Sequence, residues 1–115
     1  MGHEETPDVA VVVLSTAPDD ETAGTIARAL VEERLAACVS QVPQIRSVYH
    51  WQGEITEAAE VLLIIKTHSR LAPELTRRLG ELHPYEVPEI LVLPVAAGSR
   101  AYLEWIMAET SEKTS

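Results

Sequence analysis

The run Val9-Ala10-Val11-Val12-Val13-Leu14 is rich in β-branched residues and apolar at odd and even positions alike. It is too short for a helix and reads as a strand covered on both faces. The same pattern returns in Val61–Ile65, within Glu60-Val-Leu-Leu-Ile-Ile-Lys66, and in Ile90–Val95, within Glu89-Ile-Leu-Val-Leu-Pro-Val95. An antiparallel sheet with helices on one face and water on the other would alternate instead.

Outward from these strands, Ala17-Pro18-Asp19-Asp20 carries helix-start chemistry: a proline, a capping aspartate and acids for the first turn. Ala23, Ile26, Ala27, Leu30, Val31 and Leu35 follow at helical spacing. Ala37 to Val42 predicts a short strand stopped at Pro43, and Ser47-Val-Tyr-His-Trp51 an extended segment. Gln52-Gly53-Glu54 marks a turn, which joins that segment to Glu60–Lys66 as a long hairpin. A second helix is expected from Leu71 to His83, with Leu71, Leu75, Leu79 and Leu82 on one face, Pro73 in its first turn and Pro84 as its stop. Gly98-Ser99 opens a last helix carrying Tyr102, Leu103, Ile106 and Met107.

The order βαββαβ plus a C-terminal helix is that of an α+β, ferredoxin-like split βαβ fold, an antiparallel sheet with its two main helices on one face. One domain over 8–110 is expected, with flexible tails at 1–7 and 111–115. In that fold the strands leave a bare apolar face of several hundred Å², which a soluble monomer rarely tolerates. One short helix is too small to cover it, so further copies of the chain are expected to do so.

Among 115 residues, 9 are basic and 18 acidic, giving a net charge of −9 and a pI near 4.8. Nucleic-acid binding needs a clustered cationic surface, which this balance lacks. Cys38 is the only cysteine, so no intrachain disulfide or paired-cysteine zinc site forms, and its neighbours Ala36, Ala37 and Val39 mark it as a small buried residue. Met1 to Asp8 does not read as a signal peptide, and no apolar run approaches the ~20 residues of a membrane helix. A cytoplasmic setting without membrane contact is expected. No glycine-rich phosphate loop, nucleophile elbow or paired-histidine spacing is present, so no enzyme activity is expected.

The stretches Ser15-Thr-Ala-Pro18, Leu35-Ala-Ala-Cys38, Ser47-Val-Tyr-His-Trp51, Lys66-Thr67, His83-Pro-Tyr85, Pro88-Glu-Ile90, Pro94-Val95 and Tyr102-Leu-Glu-Trp105 together resemble the CutA family of divalent-cation tolerance proteins. The resemblance spans nearly the whole chain. It implies a homotrimer of ferredoxin-like subunits, similar in architecture to the PII signalling proteins, a role in the response to metal ions, and copper or other divalent-cation binding. The family's bacterial pattern has a cysteine where Ser15 stands and a histidine where Leu82 stands, leaving His83 as the one matching ligand. Thiolate and imidazole suit copper, whereas a serine hydroxyl is a poor ligand and leucine none.

His83, just before Pro84, therefore carries two readings: a favourable charge at a helix C-terminus, or a metal ligand. His50 and His68 read as ordinary polar residues. Trp51, Tyr49 and Tyr85 read as interface packing, or as the aromatic wall of a small-molecule cleft between subunits. Glu60 and Lys66 bracket an apolar strand, so each needs water or a partner. They pair across an interface, or contact a ligand in such a cleft. No cofactor is required on this reading, and copper or another divalent cation is the candidate ligand. The alternative function is a PII-like regulatory or scaffolding trimer that binds a small molecule or protein partner between its subunits.

Overall fold

The structure, a computed structural model, describes residues 8–111. The tails expected at 1–7 and 111–115 lie outside it except for Ser111, whose hydroxyl bonds the Met107 carbonyl at 2.8 Å. The elements are β1 (Ala10–Ala17), α1 (Asp20–Glu32), β2 (Cys38–Trp51), β3 (Glu54–His68), α2 (Ala72–Leu82), β4 (Leu91–Pro94) and α3 (Arg100–Glu109). The four strands form one sheet in the order β2-β3-β1-β4 with every pairing antiparallel, so the chain has the ferredoxin-like topology with an added helix.

Asp19 starts α1 by accepting the Thr22 N–H at 2.7 Å. Ala23, Ile26 and Leu30 of α1 and Leu75 and Leu79 of α2 then pack on Val11, Val13, Val61, Leu63 and Ile65 of the central strands. These side chains are fully or almost fully removed from water and form the main core. Arg78 of α2 reaches Glu33 at the end of α1 with two bonds, at 2.8 and 2.9 Å, tying the helices together.

Register places Val12, Leu14, Leu62 and Ile64 on the other face, level with Leu91 and Leu93 of β4 and Val42 of β2. Helix α3 crosses one end of that face, where Ile106 packs with Ala10 and Ala37. Leu91, Leu93 and Val42 stay 55%, 43% and 39% exposed. The apolar face is thus real, and α3 covers only a corner of it.

Four local expectations need correction. Pro43 does not stop a strand: β2 runs through it, and a bulge between Val42 and Ile45 absorbs one extra residue, with Gln44 at φ 63°. Proline is tolerated there because β2 is an edge strand with one row of N–H groups unpaired. Strand β4 is only Leu91–Pro94, shorter than Glu89–Val95. Helix α1 ends at Glu32, short of Leu35, because Arg34 turns into the left-handed region at φ 61°. Helix α2 starts at Ala72 after a 3-10 turn through Leu71, and it ends at Leu82, because a residue preceding proline is pushed out of helical geometry. His83 is accordingly extended, at φ −85° and ψ 138°.

Candidate functional site

That extended backbone swings the His83 ring away from α2 and onto the end of β1. Its Nε2 lies 2.6 Å from the Thr16 carbonyl oxygen, and its Nδ1 accepts the Tyr85 N–H at 3.1 Å. The ring therefore carries its proton on Nε2, which donates to Thr16, and neither nitrogen keeps a free lone pair. His83 is buried, and its ring stacks at a tilt on Tyr85, with centroids 4.7 Å apart. The helix C-terminus is not its partner.

Tyr85 carries the link onward. Its hydroxyl donates to Glu60 Oε2 at 2.9 Å, and Glu60 sits immediately past the β2 bulge, opposite Ile45. Burial, with the Glu60 carboxylate beside it, pushes the Tyr85 phenol up to about 12. Glu60 is only 8% exposed. Thr16, His83, Tyr85 and Glu60 thus form one chain of contacts across the end of the sheet.

The other candidates lie elsewhere. Lys66 donates to Ser40 Oγ and approaches Cys38 Sγ at 3.7 Å, so its charge lies toward the start of β2. Cys38 is half-buried there, and the thiol, after burial itself, raises the Tyr102 phenol of α3. Trp51 stands at the hairpin tip, 59% exposed. The structure brings Glu60, Tyr85 and His83 together and leaves Lys66 and Trp51 apart. Sequence reasoning missed the Lys66–Ser40–Cys38 group and the Thr16 carbonyl, both of which depend on non-local register. The His83-Pro84 pair was the one local signal that the imidazole leaves the helix.

The donor set does not fit a tight copper centre. Ser15 is fully buried beneath the helices, its hydroxyl without a partner among the described residues, Leu82 packs on the core, and both nitrogens of His83 are engaged. Among the described residues, no three His, Cys, Asp or Glu side chains are grouped to hold a metal. No described helix is long and apolar enough to cross a membrane.

Comparisons with known proteins place this arrangement. The family model described as CutA1 divalent ion tolerance protein matches residues 11–109. The divalent-cation tolerance protein CutA of Thermus thermophilus is 56% identical over 86% of this chain and 96% of its own. Human Protein CutA is 47% identical over 95% of this chain, which spans 61% of the human protein's length. Among solved structures, the Thermus thermophilus CutA1 superposes with a TM-score of 0.86 at 54% identity, covering 89% of this chain and 99% of that one. CutA1 from Oryza sativa gives 0.88 at 43% identity, covering 91% and 96%. The chain belongs to the CutA1 divalent ion tolerance family.

Proposed function

We propose that this chain serves divalent-cation tolerance as a cytoplasmic homotrimer that gathers cations weakly through its acidic surface. The observation that carries the reading is the apolar sheet face left open beyond α3, together with free edges on both sides of the sheet. Edge β2 is long and edge β4 short, and they lie at opposite ends of the order β2-β3-β1-β4. An edge presents unpaired N–H and C=O groups, and pairing β4 of one copy with β2 of the next is a head-to-tail contact. Such contacts close into a ring when the rotation allows it. The family resemblance implies three copies.

The net charge of −9 per chain is multiplied in such an assembly and concentrates cations electrostatically. Sedimentation equilibrium at micromolar concentration tests the assembly, with an expected mass about three times the 12.6 kDa of the chain. A folded single-chain species overturns it. Calorimetric titration of Cu(II) into wild type and His83→Gln at low and high salt tests the cation reading. Weak, salt-sensitive and equal binding is expected, and loss of affinity in the variant brings the imidazole into the site.

A second reading, a regulatory trimer with a small-molecule cleft between copies, draws on the buried Glu60–Tyr85 pair. Thermal stabilisation by a metabolite that persists in excess chelator selects it.

A further inference from the structure

Glu60 and Lys66 are each incomplete within one chain. Glu60 is 8% exposed, and among the described residues the hydroxyl of Tyr85 is the one side-chain partner of its carboxylate. A carboxylate has about four acceptor positions, and one phenol satisfies a single one of them. Among the described residues no basic group lies within ion-pair distance of it. Lys66 is the counterpart. Arg34, Arg46, Arg70, Arg77, Arg78 and Arg100 all have an acidic partner. Of the two described bases without one, Arg28 is exposed on α1, whereas Lys66 is half-buried and donates only to a hydroxyl and a thiol.

Both residues lie on the open apolar face. Along β3, Glu60, Leu62, Ile64 and Lys66 alternate onto that side, with Leu62 opposite Thr16, Ile64 opposite Leu14 and Lys66 opposite Val12. The face therefore reads acid, apolar, apolar, base along one strand. Six residues of strand separate the charges by roughly 20 Å, so they do not meet within the chain. Covering this face with a second copy removes both charges from what water they retain. Burying either unpaired is expensive, whereas pairing them compensates both.

We propose that the Glu60 carboxylate of one copy receives the Lys66 ammonium of the next, with Tyr85 Oη orienting the carboxylate. This rests on the homotrimer reading above and names the contact that sets the register between copies. The head-to-tail sense follows from the trimer reading: in a closed ring of three every interface is heterologous, so Glu60 of each copy meets Lys66 of the next, whereas a two-fold pair would hold both contacts in one interface.

The test is a charge-reversal cycle read by urea-induced dissociation, followed by sedimentation velocity. Wild type, Glu60→Gln, Lys66→Gln, the double neutral variant and the swapped chain Glu60→Lys/Lys66→Glu are compared, with circular dichroism as the check on folding. Each single neutral variant is expected to weaken assembly about 30-fold or more, the double neutral variant little further, and the swapped chain to recover most of the loss. Additive single effects, or a swapped chain no better than either single neutral variant, overturn the pair. If a single variant fails to fold, the swapped chain decides alone: a folded assembly supports the proposal, and its absence overturns it. A wild type that is already monomeric overturns the homotrimer reading, an outcome distinct from a trimer with an additive cycle.

Discussion

His83 and Thr16, 67 residues apart in sequence, are joined by a 2.6 Å bond between the imidazole Nε2 and the strand carbonyl. It fastens the loop after α2 to the end of β1, and the second ring nitrogen holds that loop's own backbone through Tyr85. Removing the ring leaves the buried Thr16 carbonyl and the part-buried Tyr85 N–H without their partner, together with a cavity. His83→Ala is therefore expected to cost about 2–4 kcal/mol. His83→Gln, which can still donate to Thr16, should recover part of that loss. Urea unfolding of the three proteins checks the order, and a His83→Ala variant as stable as wild type sinks it.

Ser15 and Thr67 lie beneath the helices with no exposure and, among the described residues, no partner for either hydroxyl. A buried polar group without a hydrogen bond costs free energy that an apolar isostere does not. Thr67→Val, nearly equal in volume, should stabilise the protein by about 1 kcal/mol, and Ser15→Ala should be neutral or mildly stabilising. Differential scanning calorimetry reads both. A clear loss of stability in Thr67→Val shows that its hydroxyl has a partner in solution.

The turn of the long hairpin places Gln52 at φ 51° and Gly53 at φ 82°, both in the left-handed region, between the paired residues Trp51 and Glu54. Two-residue turns of this kind favour asparagine followed by glycine. Gln52→Asn is expected to raise stability by about 0.5 kcal/mol. Gly53→Ala should lower it by about 1 kcal/mol through backbone strain alone, since nothing lies within 4 Å of an added Cβ. Thermal unfolding distinguishes the two directions.

Much of the fold was legible because it rests on local patterns. The three apolar strands, the capping Asp19 and the leucine spacing of α2 each declare an element within a few residues. What escaped was set by geometry between distant segments. Pro43 looks like a strand end until β2 is known to be an edge, where a bulge and a missing N–H cost little. Of the site, His83, Tyr85 and Glu60 were picked out separately, yet nothing in the sequence joins them. Their connection depends on an extended His83 meeting a bulged β2. Lys66 likewise meets Ser40 and Cys38 only through the β2–β3 register.

The tyrosines provide a probe of the site at high pH. Tyr85 is raised to about 12 from an ordinary value of 10.0, so the folded state favours the neutral phenol. Its stabilising contribution is complete below pH 10 and is lost as pH rises through 12. Absorbance titration at the tyrosinate band should show a late-ionising phenol that disappears in Tyr85→Phe. Unchanged curves in that variant defeat the assignment.

His68 supplies the acid counterpart. The residue is 8% exposed, and its Nδ1 has no hydrogen-bond partner among the described residues. Burial lowers its pKa below the ordinary 6.5; the Asp8 carboxylate opposes this, and the Arg70 guanidinium adds to it. A depressed histidine binds protons more readily once unfolded, so its contribution to stability is present above pH 6.5 and lost as pH falls from there toward the folded value. Urea midpoints measured between about pH 5 and 7.5 should therefore decline on the acid side, and His68→Leu should flatten that decline. Proton NMR of the ring reports the titration directly. A His68 ring that titrates at or above 6.5, or an acid slope that survives in His68→Leu, removes burial of this imidazole as the cause.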